Sequence, residues 1–383
     1  MNPLPLHGLT VLEFSQYLSG PSAGLRLADL GARVIKIERP VTGDACRHLS
    51  IKNLWADGNS LLFHTINRNK ESFTADIKSP EDIAVIRRLI GQADVLTHNF
   101  RPGVMEAAGL DYTTVQSINP RMIYGAISGY GNEGPWKDRP GQDLLLQSMS
   151  GLAYMTGNDK DSPMPFGLSI ADSLCGAQLV QGILAGLIRR HKTGKGALIE
   201  ISMMESLLDF QFEFLTTYHS SGQLPRRSEL SNGNPLLGAP YGIYATTNGY
   251  IAIAMVNLAQ LATAVHSDAL AAFTQEEAFS QRDEIKGLLS AHLAGQPTAY
   301  WLERLHAEDM WAMEVLDWKG LTGHEGYKCL EMEQAITTAG GKSILTTRCP
   351  IRINGKKLFS GKSAPTLGQD NQRIVMDLLK QGL

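Results

Sequence analysis

The first 130 residues alternate between two periodicities, and that alternation restricts the chain to a narrow class of folds. Residues 9–14 form a short apolar run, broken by Gly20-Pro21. Residues 22–30 then have helical spacing, with Leu25, Leu27, Ala28 and Leu30 apolar, and Gly31 follows where a left-handed terminator belongs. Residues 34–38 (VIKIE) read as a second strand. A strand, a helix and a strand in under 40 residues make a βαβ unit, and such units build parallel sheets covered on both faces. The pattern recurs: a helix over 80–91, a strand over 94–97, a short helix over 101–109 and a strand over 122–128. The expected fold is α/β, a doubly wound open parallel sheet of Rossmann-like type.

Beyond residue 128 a stretch rich in glycine and proline (129–141) leads to helices over 144–155 and 171–191, then a strand over 197–202. The helix over 171–191 carries small residues on several sides (Gly176, Gly182, Ala185, Gly186), as a central packed helix does. After about residue 220 the texture becomes polar, then strand-like at 249–255, then helical to about 306. We therefore expect a large α/β domain over 1–224, a smaller inserted α+β domain over 225–325, and a return to the large domain over 326–383.

Of 383 residues, 35 are Lys or Arg and 38 are Asp or Glu. Charges this balanced give no electrostatic footprint for nucleic acid, yet a few placed cations suffice for a small polyanion. The opening MNPLPLHGLTVLEF does not read as a secretory leader, and no apolar run approaches the ~18 residues of a span. The four cysteines are scattered. The expectation is a cytoplasmic chain with reduced thiols and no membrane or nucleic-acid partner.

Gly129–Gly134 matches G-x-G-x-x-G after a strand, but Pro135 and Pro140 follow where the pattern requires a helix. We read it as a loop. The ten histidines are dispersed, with no H-E-x-x-H or paired Cys/His spacing, so no metal site is expected. Asp172 stands out at the head of the long apolar helix, where an N-cap carboxylate accepts backbone N–H bonds and stays ionised. Two readings stand side by side: a structural cap, which such aspartates commonly are, or a nucleophile held against an acyl carbonyl. The cations Lys36, Arg39, Lys70, Lys78 and Arg101 fall near strand ends, where an open sheet binds its ligands. Each is either a phosphate contact or ordinary solvated charge.

Taken together, these segments resemble the class III CoA-transferases, the CaiB/BaiF family. The likeness runs through Leu12-Glu13-Phe14, Leu30 to Pro40, Gly43-Asp44, Asn67-Arg68-Asn69-Lys70, Asn99-Phe100-Arg101-Pro102-Gly103, Ile127 to Gly131, Asp143 with Gln147, Ala171-Asp172 and residues 192–196. The resemblance implies an enzyme that moves CoA from an acyl-CoA donor to a free carboxylic acid, a short dicarboxylate by expectation. It implies that Asp172 attacks the thioester and passes through a mixed anhydride and an aspartyl-CoA thioester. It implies a CoA site lined by Gln16, Tyr17, Leu18, Ser19, Arg39, Ala75, Lys78, Asn99, Phe100, Arg101, Lys137 and Asp143, and an interlocked homodimer. Coenzyme A enters as substrate, and no tightly bound cofactor is expected. Related α-methylacyl-CoA racemases carry a proton-shuttling histidine where this chain has Gln142, which disfavours racemisation. A non-catalytic CoA-binding dimer would have no need of Asp172. Leu49, Gly238, Ala239 and Trp311 are candidates for acid selection.

Overall fold

The computed structural model describes residues 4–380 and divides the chain into two compact units. The first unit takes the chain up to Leu146, then Ser169–Asp209, then Leu330 onward; the second takes Gln147–Leu168 and Phe210–Cys329.

The first unit is built on six parallel strands: β1 (Thr10–Glu13), β2 (Arg33–Glu38), β3 (Glu71–Thr74), β4 (Val95–His98), β5 (Ile123–Ser128) and β6 (Ala197–Ser202). Their order across the sheet is β3-β2-β1-β4-β5-β6. Strand β1 lies at the centre, with Leu12 opposite Ile35 on one side and Leu96 on the other. The strand order reverses between β1 and β4, and this is the switch point where open α/β sheets take their ligands.

Helices cover both faces. Helix α1 (Ser19–Asp29) packs on α4 (Ile170–Thr193), and α4 lies across β5 and β6. On the other face α2 (Pro80–Gln92) contributes Ile86, Leu89 and Ile90, and the last helix, α9 (Asn371–Lys380), contributes Ile374 and Leu378, to one apolar cluster with Leu12, Ile35 and Leu96. Each such side chain fully buried contributes about 1.5–3 kcal/mol. Helix α2 starts cleanly because the Ser79 hydroxyl accepts the Asp82 N–H and Pro80 opens the first turn.

Three expectations change. Gly20-Pro21 does not end a segment: α1 begins at Ser19 and holds both residues in its first turn, where proline costs no hydrogen bond. Strand β3 is an edge strand that no apolar run announced. Helix α4, at 24 residues, is long and apolar enough to cross a membrane by length and composition alone; here it packs on α1, β5 and β6.

The second unit centres on an antiparallel sheet, β7 (Gly242–Ala245), β8 (Tyr250–Ile253) and β9 (Ala312–Glu314), with β8 in the middle. Helices α6 (Leu258–Val265), α7 (Arg282–Leu293) and α8 (Thr298–Ala307) bury Leu261, Ile285, Leu289 and Leu305 against Tyr244 and Ile251. This unit also takes residues 147–168 and 210–224, which the sequence reading assigned to the large domain. The cause is polar: the Arg227 guanidinium donates to the carbonyls of Thr156, Asp159 and Asp161 at 2.7, 3.2 and 2.7 Å. Asn232 donates to Gly157 at 2.9 Å. The chain also returns to the first unit at Leu330, a few residues after the expected 326.

Candidate active site

The site grows from the loop that follows β1. Gln16 and Tyr17 sit in it, Leu18 caps α1, and Ser19 is the first helical residue. Asn99, just past β4, ties this loop across the switch point. Its Oδ1 accepts the Gln16 N–H at 2.8 Å, and its Nδ2 donates to the Gln16 carbonyl at 2.7 Å and to Ser19 Oγ at 3.2 Å. Tyr17 takes a left-handed backbone (φ 62°), and its N–H donates to Asp44 Oδ1 at 3.1 Å.

Beneath the loop lies a buried ionic cluster. Lys36 Nζ donates to Glu13 Oε1 at 3.0 Å and to the Ser15 carbonyl at 2.8 Å, and pairs with Asp44 Oδ2 at 2.8 Å. Lys70 Nζ reaches both Glu13 oxygens, at 3.0 and 2.8 Å, and the Pro21 carbonyl at 2.9 Å. Burial opposes the Lys36 charge, but the Asp44 and Glu13 carboxylates outweigh it and hold the ammonium above its usual range. Lys36 and Lys70 are 0% and 2% exposed, so neither is a phosphate contact; they hold the loop from below. A sequence signal existed: Lys36 interrupts the apolar run of β2, and Glu13 ends that of β1.

Above the loop, at the carboxyl ends of β1 to β4, opens a crevice of about 530 Å³. Gln16, Arg39, Ala75, Lys78 and Phe100 line it. Arg39 and Lys78 are exposed. Arg101 lines an adjoining crevice of about 560 Å³, with His98 and Tyr130. Burial pushes His98 down to about 4, so it is neutral at working pH. Lys137 lies exposed on the 129–141 loop and lines neither crevice. Leu18 turns inward onto the cluster of Cys46, Phe63, Ile66 and Ala364. Leu49 is exposed. In the second unit, Gly238 and Ala239 line a cavity of about 440 Å³ and Trp311 one of about 740 Å³.

Asp172 is not the N-cap of α4. Ser169 holds that position without a side-chain bond, and Asp172 is the third helical residue. The N–H and hydroxyl of Ser19 both donate to its carboxylate. That N–H has no acceptor within its own helix, at the head of α1, so the carboxylate stands at the positive ends of two helices. The helices can meet there because of Gly176: a Cβ would come within 2.3 Å of Ser22 Oγ and 2.7 Å of the Ser19 carbonyl oxygen. The carboxyl is nonetheless not held low. Burial, then the nearby Asp143 carboxylate, raise it to about 6 against the pull of the Ser19 bonds. A half-buried carboxylate with raised basicity is a better nucleophile than an exposed one, and it is still mostly ionised at neutral pH.

Asp143, expected on a ligand-lining loop, is buried at the start of α3 (Asp143–Met149) and accepts the Asp172 N–H at 3.1 Å. The 129–141 loop delivers it there by closing on itself: Gly129 and Gly141 pack backbone to backbone, where a Cβ on either would lie within 2.8 Å of the other's Cα. The loop forms turns and no helix before α3, so its glycine pattern is not a dinucleotide site.

Six parallel strands with helices on both faces and a crevice at the switch point define a doubly wound α/β protein with a ligand site at its strand ends. The chain belongs to CoA-transferase family III, whose model matches residues 6–371, and it acts on CoA thioesters and carboxylic acids. It is 37% identical to the succinate–glutarate CoA-transferase of Agrobacterium fabrum, over 98% of this chain and 96% of that one. It is 30% identical to the succinyl-CoA–D-citramalate CoA-transferase of Chloroflexus aurantiacus, over 98% and 94%. The crystal structure of a CaiB/BaiF family protein from Brucella suis superposes with a TM-score of 0.85 at 30% identity, covering 98% of this chain and 100% of that one.

Proposed function

We propose that this enzyme transfers CoA from succinyl-CoA to a second short dicarboxylic acid, with Asp172 as the covalent nucleophile. The Asp172 carboxylate adds to the thioester carbonyl, the C–S bond breaks, and a mixed anhydride and CoA thiolate result. The thiolate attacks the aspartyl carbonyl, freeing succinate and leaving an aspartyl-CoA thioester. The acceptor carboxylate then attacks that thioester, and the same steps run in reverse to give the new acyl-CoA. The N–H groups at the head of α1 suit the developing oxyanions. Arg39 and Lys78 take the nucleotide phosphates, Phe100 offers a face to the base, and Gln16 and Tyr17 flank the pantetheine arm. Arg101 and Lys137 add positive charge along the outer path.

The observation that carries this reading is the placement of Asp172: a basic carboxyl bonded to Ser19, three residues along the loop from the crevice-lining Gln16. The dicarboxylate preference is supported by relatives named for succinyl-CoA and for glutarate or citramalate. A cytoplasmic, interlocked homodimer completes the proposal. Helix α5 (Phe212–Ser221) has no fully buried residue and leaves Phe212 61% and Tyr218 41% exposed, as a helix with a partner would.

The test is a matrix of acyl-CoA donors (succinyl, acetyl) against free acids (succinate, glutarate, malate, oxalate, acetate), run beside Asp172→Ala. The highest kcat/KM should fall to a dicarboxylate pair, and Asp172→Ala should bind CoA and transfer nothing. Transfer retained in that variant, or a clear preference for acetate, would overturn the proposal.

A further inference from the structure

Asp143 has no part in the chemistry described so far, yet it is among the most deeply placed charges of the site. It is 6% exposed, and its Oδ2 accepts the backbone N–H of Asp172 at 3.1 Å. A helix of this length usually satisfies that third N–H with the side chain of its own N-cap. Ser169 makes no such bond, and a carboxylate from α3 takes its place.

This arrangement does two things to Asp172. It fixes the peptide that carries the carboxyl, so the side chain springs from a pinned backbone. It also sets a second negative charge beside the first, in a partly desolvated place where like charges interact strongly. The groups facing Asp172 are few. Ser19 faces it from α1 and does not titrate. Cys175 lies one turn on along α4, and burial pushes its thiol up to about 12, so it is neutral. The group among them whose charge acts on the Asp172 carboxyl is Asp143.

We propose that Asp143 is a positioning residue for transfer: it holds the Asp172 backbone in place, and its negative charge makes the Asp172 carboxylate a stronger nucleophile. This rests on the reading of Asp172 as nucleophile. The two effects separate in Asp143→Asn, because the asparagine carbonyl still accepts the Asp172 N–H while the charge is gone. Nucleophilicity follows basicity with a dependence near one-half, so loss of the charge should slow acylation by about 3- to 10-fold.

The experiment uses the full-length enzyme with succinyl-CoA, follows CoA release and hydroxylamine-trapped acyl-enzyme, and repeats both across pH 4.5–8.5. Asp172→Ala is run beside it; any covalent capture there sinks the nucleophile reading itself, whatever Asp143 does. In the parent the acid limb should fall near pH 6. Asp143→Asn should move that limb to lower pH and reduce the plateau rate by about 3- to 10-fold. Asp143→Glu keeps the charge on a longer stem, so its limb should stay with the parent even where its plateau falls. An unmoved limb in Asp143→Asn overturns the proposal. A limb that moves equally in Asp143→Glu overturns it as well, since geometry alone would then explain the effect.

Discussion

Asn99 holds the Gln16 peptide from both sides, accepting its N–H at 2.8 Å and donating to its carbonyl at 2.7 Å. With the third bond, to Ser19 Oγ, one amide joins the ends of β1 and β4 and orients the residue that bonds Asp172. The amide is used as backbone would be used, one acceptor and two donors, on a loop with no sheet partner of its own. The Asp172 carboxyl is thus positioned from outside its own helix, by Ser19 of α1 and, through Ser19, by Asn99.

Asn99→Ala should therefore hurt activity more than stability. Three hydrogen bonds at a half-buried site are worth about 1–3 kcal/mol in total, partly replaced by water. Unfolding in urea should show a loss in that range. Because misplacement of about 1 Å can cost a hundredfold in rate, kcat should fall by more than about tenfold. A variant that kept the parent kcat would show that the clamp does not set the geometry of Ser19.

Among the described residues Glu13 is the one carboxylate that touches both Lys36 and Lys70, and all three side chains are fully buried. Removing one partner from such a cluster leaves uncompensated charge in the interior, at a cost of about 3–5 kcal/mol. Glu13→Gln should lower the unfolding free energy by that amount. A Glu13→Leu/Lys70→Met double variant should recover part of the loss. Additive losses in the pair would contradict the ionic account.

The parallel strands were legible because strands buried on both faces are written as continuous apolar runs, and VIKIE and MIYGAIS are such runs. Strand β3 was not, because Glu71-Ser72-Phe73-Thr74 belongs to the sheet edge, where Asp370 and Asn371 bond its backbone from nearly 300 residues away. Lys36 and Lys70 looked like solvated cations because their partner, Glu13, comes from another part of the chain. The family motifs led to Asp172 directly. Its raised basicity was out of reach, since burial and the approach of Asp143 arise only when α3 and α4 meet. Residues 147–168 looked like part of the large domain because the carbonyls that bind them to Arg227 leave no mark in side-chain composition.

Arg39 and Lys78 form no ion pair among the described residues, and both stand exposed at the crevice. Exposed cations without an internal partner have little structural use. Arg39→Ala and Lys78→Ala should leave the melting temperature unchanged and weaken CoA binding, each by about tenfold in calorimetry at low salt. The loss should shrink as salt rises, because screening weakens the contact in the parent as well. Unchanged affinity in both variants would move the nucleotide end of the substrate out of this crevice.

Asp172 should cost the folded protein stability at the pH where it works. Burial, then Asp143, lift its carboxyl from the usual 3.8 to about 6. The folded state thus holds the proton more tightly than the unfolded chain, and the group favours folding fully only below about pH 4. As pH rises through 6 that contribution is lost, and the ionised form costs the fold up to about 3 kcal/mol. Asp172→Asn keeps the shape and the acceptor oxygen while removing the charge. In urea unfolding without CoA, it should be more stable than the parent by about 1–3 kcal/mol at pH 8, with the gap closing near pH 4. The opposite trend, a variant weaker at pH 8 and equal at pH 4, would mean that the Ser19 bonds and the two helix ends outweigh burial. Asp172 would then be an ordinary, low-lying carboxylate, and the argument for a sharpened nucleophile would lose its electrostatic basis.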